Sequence, residues 1–149
     1  MSSTDFYIST EKKKLDLIAI HDYLSNRSYW ALNRSIDKVQ RSIDNSLCFG
    51  LYNSENKQIG FARVVTDHTI FAWILDLFVL EEYQGNGGGK MLMKAIMENP
   101  ELQGLHRWGL GTRDAHGLYK QFGFDEILRP DVLMELVHHR DAHEVKIEQ

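Results

Sequence analysis

The sequence predicts an α+β fold with a mixed, mostly antiparallel central sheet flanked by helices. Three observations carry that reading. Apolar residues first recur at helical spacing, in two N-terminal segments. The pattern then changes to three β-prone runs, Leu47–Tyr52, Gln58–Thr66 and Ile70–Leu80, joined by short polar turns as in an antiparallel meander. Finally, four glycines crowd into residues 85–89 between the last of these runs and a helical pattern.

Each element has a local cause. Asp5–Ser9 is a short first strand. The Asp16 carboxylate caps a helix that places Leu17, Ile20 and Leu24 on one face, and Ser35 caps a second with Ile36, Val39 and Ile43 aligned. Residues 25–33 break that pattern and carry the adjacent aromatics Tyr29 and Trp30. After the meander, Lys90–Glu98 is a helix stopped by Asn99-Pro100, because the residue before proline disfavours the helical region. Arg107–Thr112 is a strand, and Ala115–Phe122 is a short helix closed by Gly123. Phe124–Leu128 and Val132–Val137 are expected as two final strands. Residues 1–137 are expected to form one domain and 138–149 a polar tail.

Composition narrows the function. The 149 residues, 43% of them hydrophobic, suffice for a genuine core. A formal charge of −4 argues against a dedicated nucleic-acid binder. The lone Cys48 excludes an intramolecular disulfide framework, and its apolar strand suggests a buried thiol. The longest apolar run is too short to cross a membrane, and it contains Asp76. MSSTDFYIST shows no basic region followed by an apolar one, so a cytoplasmic location is expected. His138, His139 and His143 fit a polar tail better than a metal site, and no metal is expected.

The segment from Val79 to Lys90 is the most informative. Glycines let backbone approach a ligand closely, and a helix N-terminus offers unpaired N–H groups with partial positive charge. Together they make an anion cradle suited to phosphate. A P-loop does not fit, because Met91 follows Lys90 where Ser or Thr is needed. A Rossmann fingerprint fails because its third glycine position is Lys90.

Gln84-x-x-Gly87-x-Gly89 resembles the Q/R-x-x-G-x-G/A signature of the GNAT superfamily of acyl-CoA-dependent N-acetyltransferases. Ala115-x-x-x-Tyr119-x-x-x-Gly123-Phe124 resembles a second element of the same family, in the same order. The resemblance runs from about Leu47 to Leu136 and suits a single-domain member of bacterial type. It implies a sheet splayed between the fourth and fifth strands, with acetyl-CoA as co-substrate in the gap. Backbone at Leu77, Phe78 and Val79 would bond the pantetheine arm. Gln84, Gly85, Asn86, Gly87, Gly88, Gly89 and Lys90 would hold the pyrophosphate.

The implied reaction moves an acetyl group to a primary amine, on a small molecule or a peptide, by direct attack. A non-catalytic acyl-CoA-binding or sensing module is the alternative. Tyr119 matches the family's general acid; a phenol of ordinary pKa near 10 keeps its proton at neutral pH. The strand position where many members carry a glutamate base is Trp73. Asp76 is the only carboxylate inside that strand. It is a candidate base, a candidate site for a cationic substrate, or a holder of the neighbouring backbone. Tyr29 and Trp30 are candidates for the acceptor wall, and Arg63 for an acceptor carboxylate. Thr112 stands where the family often has asparagine. Many members dimerise, so a homodimer is compatible with the resemblance.

Overall fold

A computed structural model describes residues 5–138. The chain divides into two compact units, Met1–Gly111 and Thr112–Gln149.

In the first unit, β1 (Tyr7–Ser9) leads to α1 (Leu17–Asp22), a π-helical turn (Tyr23–Arg27) and α2 (Ile36–Asp44). The sheet continues with β2 (Leu47–Tyr52), β3 (Gln58–Thr66) and β4 (Phe71–Val79). Then follow α3 (Gly88–Glu98) and β5 (Arg107–Leu110). Both expected caps form: Asp16 accepts from the Ala19 N–H at 3.0 Å, and Ser35 from the Lys38 N–H at 3.2 Å. The strand order is β1-β2-β3-β4-β5, antiparallel throughout except for the parallel β4–β5 pair.

Polar side chains shape the turns. Asn53 accepts from the backbone N–H groups of Glu55 and Lys57 between β2 and β3. Between β3 and β4, Asp67 accepts from Thr69, Ile70 and Phe71. Those N–H groups favour its charged form and bring its pKa down to about 2.

The sheet is covered on both faces. Ile20, Tyr23, Leu24, Val39 and Ile43 pack with Cys48, Phe61 and Phe78. Leu51 and Val79 instead meet the start of α3 at Gly88. Phe78 and Val79 are consecutive, so they mark opposite faces of one strand. Leu92, Met93 and Ile96 of α3 are fully buried.

The second unit holds α4 (His116–Lys120). Its end is a Schellman cap. The Gly123 N–H donates to the Lys120 carbonyl and the Phe124 N–H to that of Tyr119, with Gly123 at φ +94°. The two strands expected at 124–128 and 132–137 are not formed. A 3-10 turn at Pro130–Val132 takes in the first residue of the second, and Leu128, Met134 and Leu136 are exposed. Proline withdraws a ladder donor, and β-propensity makes a strand only where a partner strand packs beside it. Residues 139–149, including His139 and His143, lie outside the described residues.

Candidate active site

β4 changes character at its middle. Phe71, Ala72, Trp73 and Ile74 pair with Arg107, Trp108, Gly109 and Leu110 of β5, and the parallel ladder stops there. On the other side β3 stays paired to Val79, but with a bulge. Between Phe61↔Phe78 and Arg63↔Leu75, Ala62 faces two residues, Asp76 and Leu77. Asp76 takes up the bulge at φ +55°, a region that aspartate enters more readily than most residues. Beyond Ile74, β4 therefore presents backbone that β5 does not engage.

This half-free strand runs into the glycine loop. A 3-10 turn at Glu81–Tyr83 leaves the strand. The Gln84 side-chain amide donates back to the Val79 carbonyl at 2.8 Å, and Asn86 donates to the Tyr83 carbonyl at 3.1 Å. These two side chains fold the loop onto itself. Gly87 is left-handed at φ +82° and forms the N-cap of α3. A Cβ at Gly88 would come within 2.8 Å of Leu51 Cδ2, so the first turn sits hard against the sheet. The first helical bond of α3 runs from the Met91 N–H to the Gly87 carbonyl. The N–H groups of Gly88, Gly89 and Lys90 precede it and have no intrahelical acceptor. Lys90 is exposed. The residues therefore fit a phosphate held by backbone, with the lysine adding charge from outside.

Four predicted site residues meet at the bulge. The Asp76 side chain is 1% exposed. Its Oδ1 accepts from Trp30 Nε1 at 2.8 Å. Its Oδ2 accepts from an Arg34 terminal nitrogen at 2.8 Å and from Arg63 Nε at 2.7 Å. Arg63 also donates to Ser46 Oγ at 3.2 Å. Tyr29 joins through an edge-on ring contact with Trp30 at 5.0 Å. The sequence reading missed Arg34. It lies 42 residues from Asp76, and no spacing rule links a loop arginine to a strand carboxylate at that distance.

Trp73, in the position of the family's glutamate, lays its ring where a Gly109 side chain would stand. Tyr119 belongs to the second unit. It is buried, and its ring meets Phe124 edge-on at 6.3 Å. Thr112 Oγ1 accepts from the Ala115 N–H at 3.1 Å, just before α4. His116 is exposed. Burial pushes the Cys48 thiol up to about 11. Among the described residues no three His, Cys, Asp or Glu side chains group as metal ligands, and no helix is long and apolar enough to cross a membrane.

Residues 44–126, more than half of the chain, match the family model described as an acetyltransferase (GNAT) domain. A Gibberella zeae protein provisionally named an acetyltransferase is 29% identical over 136 residues, covering 77% of this chain and 76% of its own. A Prochlorococcus marinus protein, named an uncharacterized N-acetyltransferase of ycf52-like type, is 34% identical over 113 residues. That alignment covers 72% of this chain and 62% of the relative. A provisionally named GNAT acetyltransferase from Xanthomonas campestris pv. campestris has a crystal structure that superposes with a TM-score of 0.87. Its identity is 46%, over 89% of this chain and 93% of that one. The splayed strand, the glycine-capped helix and these matches agree: the chain belongs to the GNAT acetyltransferase family.

Proposed function

We propose that the protein is an N-acetyltransferase that passes the acetyl group of acetyl-CoA to a primary amine in a ternary complex. The observation that carries this reading is the continuity of β4 with the loop. Strand backbone past Ile74 that β5 does not pair leads through a short loop to the Gly87-capped start of α3. An extended amide-bearing arm and a pyrophosphate are the two chemistries those parts accommodate.

The chemistry is an addition followed by an elimination. The neutral amine nitrogen attacks the thioester carbonyl, the C–S bond breaks, and the nitrogen passes its surplus proton to water. The departing thiolate takes up a proton, a role we give to the Tyr119 hydroxyl. Backbone N–H groups aimed at the thioester oxygen would stabilise the charge that develops there.

The test has two arms. Calorimetric titration should show CoA binding in preference to simple nucleotides such as ADP. Thiol release from acetyl-CoA should then be amine-dependent across polyamines, amino acids, aminoglycosides and peptides. CoA binding without turnover on any acceptor would favour the sensing module instead.

A further inference from the structure

One N-terminal segment reaches the outgoing half of β4 and its loop at three successive points. The Tyr23 ring stacks on Phe78 with centroids 4.1 Å apart and planes 7° from parallel. Arg27 pairs with Glu81 at 2.9 Å, while also holding Asp22 at 3.1 Å. Trp30 and Arg34 both donate to Asp76. The half of β4 that β5 has left is thus supported by a strap, residues 23–34, lying on the sheet face that bears Phe78.

We propose that Asp76 is a positioning residue, and that through it this strap sets the pose of the free β4 backbone, so that the acceptor wall and the acyl-CoA edge are energetically coupled. The inference rests on the transferase reading above. It follows from what Asp76 must do in place. A left-handed aspartate inside a strand persists only where its surroundings over-determine it, and three donors from two separate segments, the strap and β3, do so here. Both carboxylate oxygens already accept hydrogen bonds, one of them from two guanidinium groups. With its side chain 1% exposed and both oxygens engaged, Asp76 is poorly placed to reach an acceptor amine as its base. Trp30 meanwhile joins Asp76 to Tyr29, within the aromatic pair read from sequence as the acceptor wall. A shift in that wall therefore reaches the bulge through one hydrogen bond, and coupling of this kind is reciprocal.

The experiment compares the wild type with Arg34→Gln, Arg34→Lys and Asp76→Asn. Arg34 is partly exposed, so its variants are expected to fold even if Asp76→Asn does not; thermal melts check this. Arg34→Gln should weaken CoA binding by about ten-fold, within the usual range of coupling between sites. It should lower kcat while leaving both limbs of the pH–rate profile in place, and Arg34→Lys should restore part of the loss. Asp76→Asn should cost about 10²-fold in kcat, the scale of a misplacement near 1 Å. In the wild type, CoA should shift the Trp30 indole N–H resonance, assigned with Trp30→Phe, and Asp76→Asn should abolish that shift. A folded Arg34→Gln protein with wild-type CoA affinity and kcat would overturn the proposal. So would an Asp76→Asn protein that binds CoA normally but loses the acidic limb, since Asp76 would then be the base. A wild type that binds no CoA would instead sink the transferase reading itself, before any substitution is made.

Discussion

Trp73 and Gly109 are register partners in the parallel β4–β5 ladder, and the indole covers the space a side chain at 109 would occupy. Gly109 thus makes room for a large ring just before the two strands part. Gly109→Ala should destabilise the fold by about 1–3 kcal/mol through overpacking. Urea unfolding measures this. Gly109→Ala should cost less in a Trp73→Ala background than in the wild type, because the clash partner is gone. Additive losses in the double variant would show that the two positions do not oppose each other.

Gly87→Val should weaken CoA binding more than Lys90→Ala. The first forces a β-branched residue to φ +82° at the helix cap and disorders several N–H donors together. The second removes an exposed, salt-screened point charge. Calorimetry at low and moderate salt decides between them, and the reverse ranking would contradict a backbone cradle.

Tyr119→Phe keeps the ring that meets Phe124 and removes the hydroxyl. Turnover should fall by about 10²–10⁴-fold, the usual contribution of general acid catalysis. CoA affinity should hardly change, because the donor matters as thiolate charge develops. Unchanged turnover in the Phe variant would leave Tyr119 a packing residue.

Cys48 supplies a pH dependence. Burial raises its pKa from 9.0 to about 11 in the folded protein. A group raised on folding contributes stability that is complete below its unfolded pKa and lost as pH climbs through the folded one. Stability should therefore decline across pH 9 to 11 with a component absent from Cys48→Ala. Thiol labelling at neutral pH should report unfolding alone, and rapid labelling of folded protein would refute burial of this thiol.

Much of this was legible in local sequence. The β2 and β3 limits, both helix caps and the glycine loop follow from rules acting within a few residues, and there sequence and structure agree. The final strands were misread because Phe124–Leu128 and Val132–Val137 have strand composition, while a ladder depends on a partner that composition cannot reveal. The bulge was illegible for a related reason. Asp76 reads as one polar residue in an apolar strand, and its conformation is fixed by Trp30, Arg34 and Arg63, which lie 46, 42 and 13 positions away.

The π-helical turn after α1 has a consequence for chain length. The Ser28 N–H reaches back five residues to the Tyr23 carbonyl, so this turn contains one residue more than an α-helical turn would. Tyr23 meets Phe78 at the start of that turn, and Trp30 meets Asp76 just past its end. Deleting one residue between them would restore ordinary helical phase and swing everything downstream by about 100° around the axis. Trp30 and Arg34 would then miss the carboxylate while Tyr23 stayed seated. The surplus residue works as a spacer, and substitutions at Ser25 or Asn26, outside the core, should be far better tolerated than any change in the number of residues between Tyr23 and Ser28.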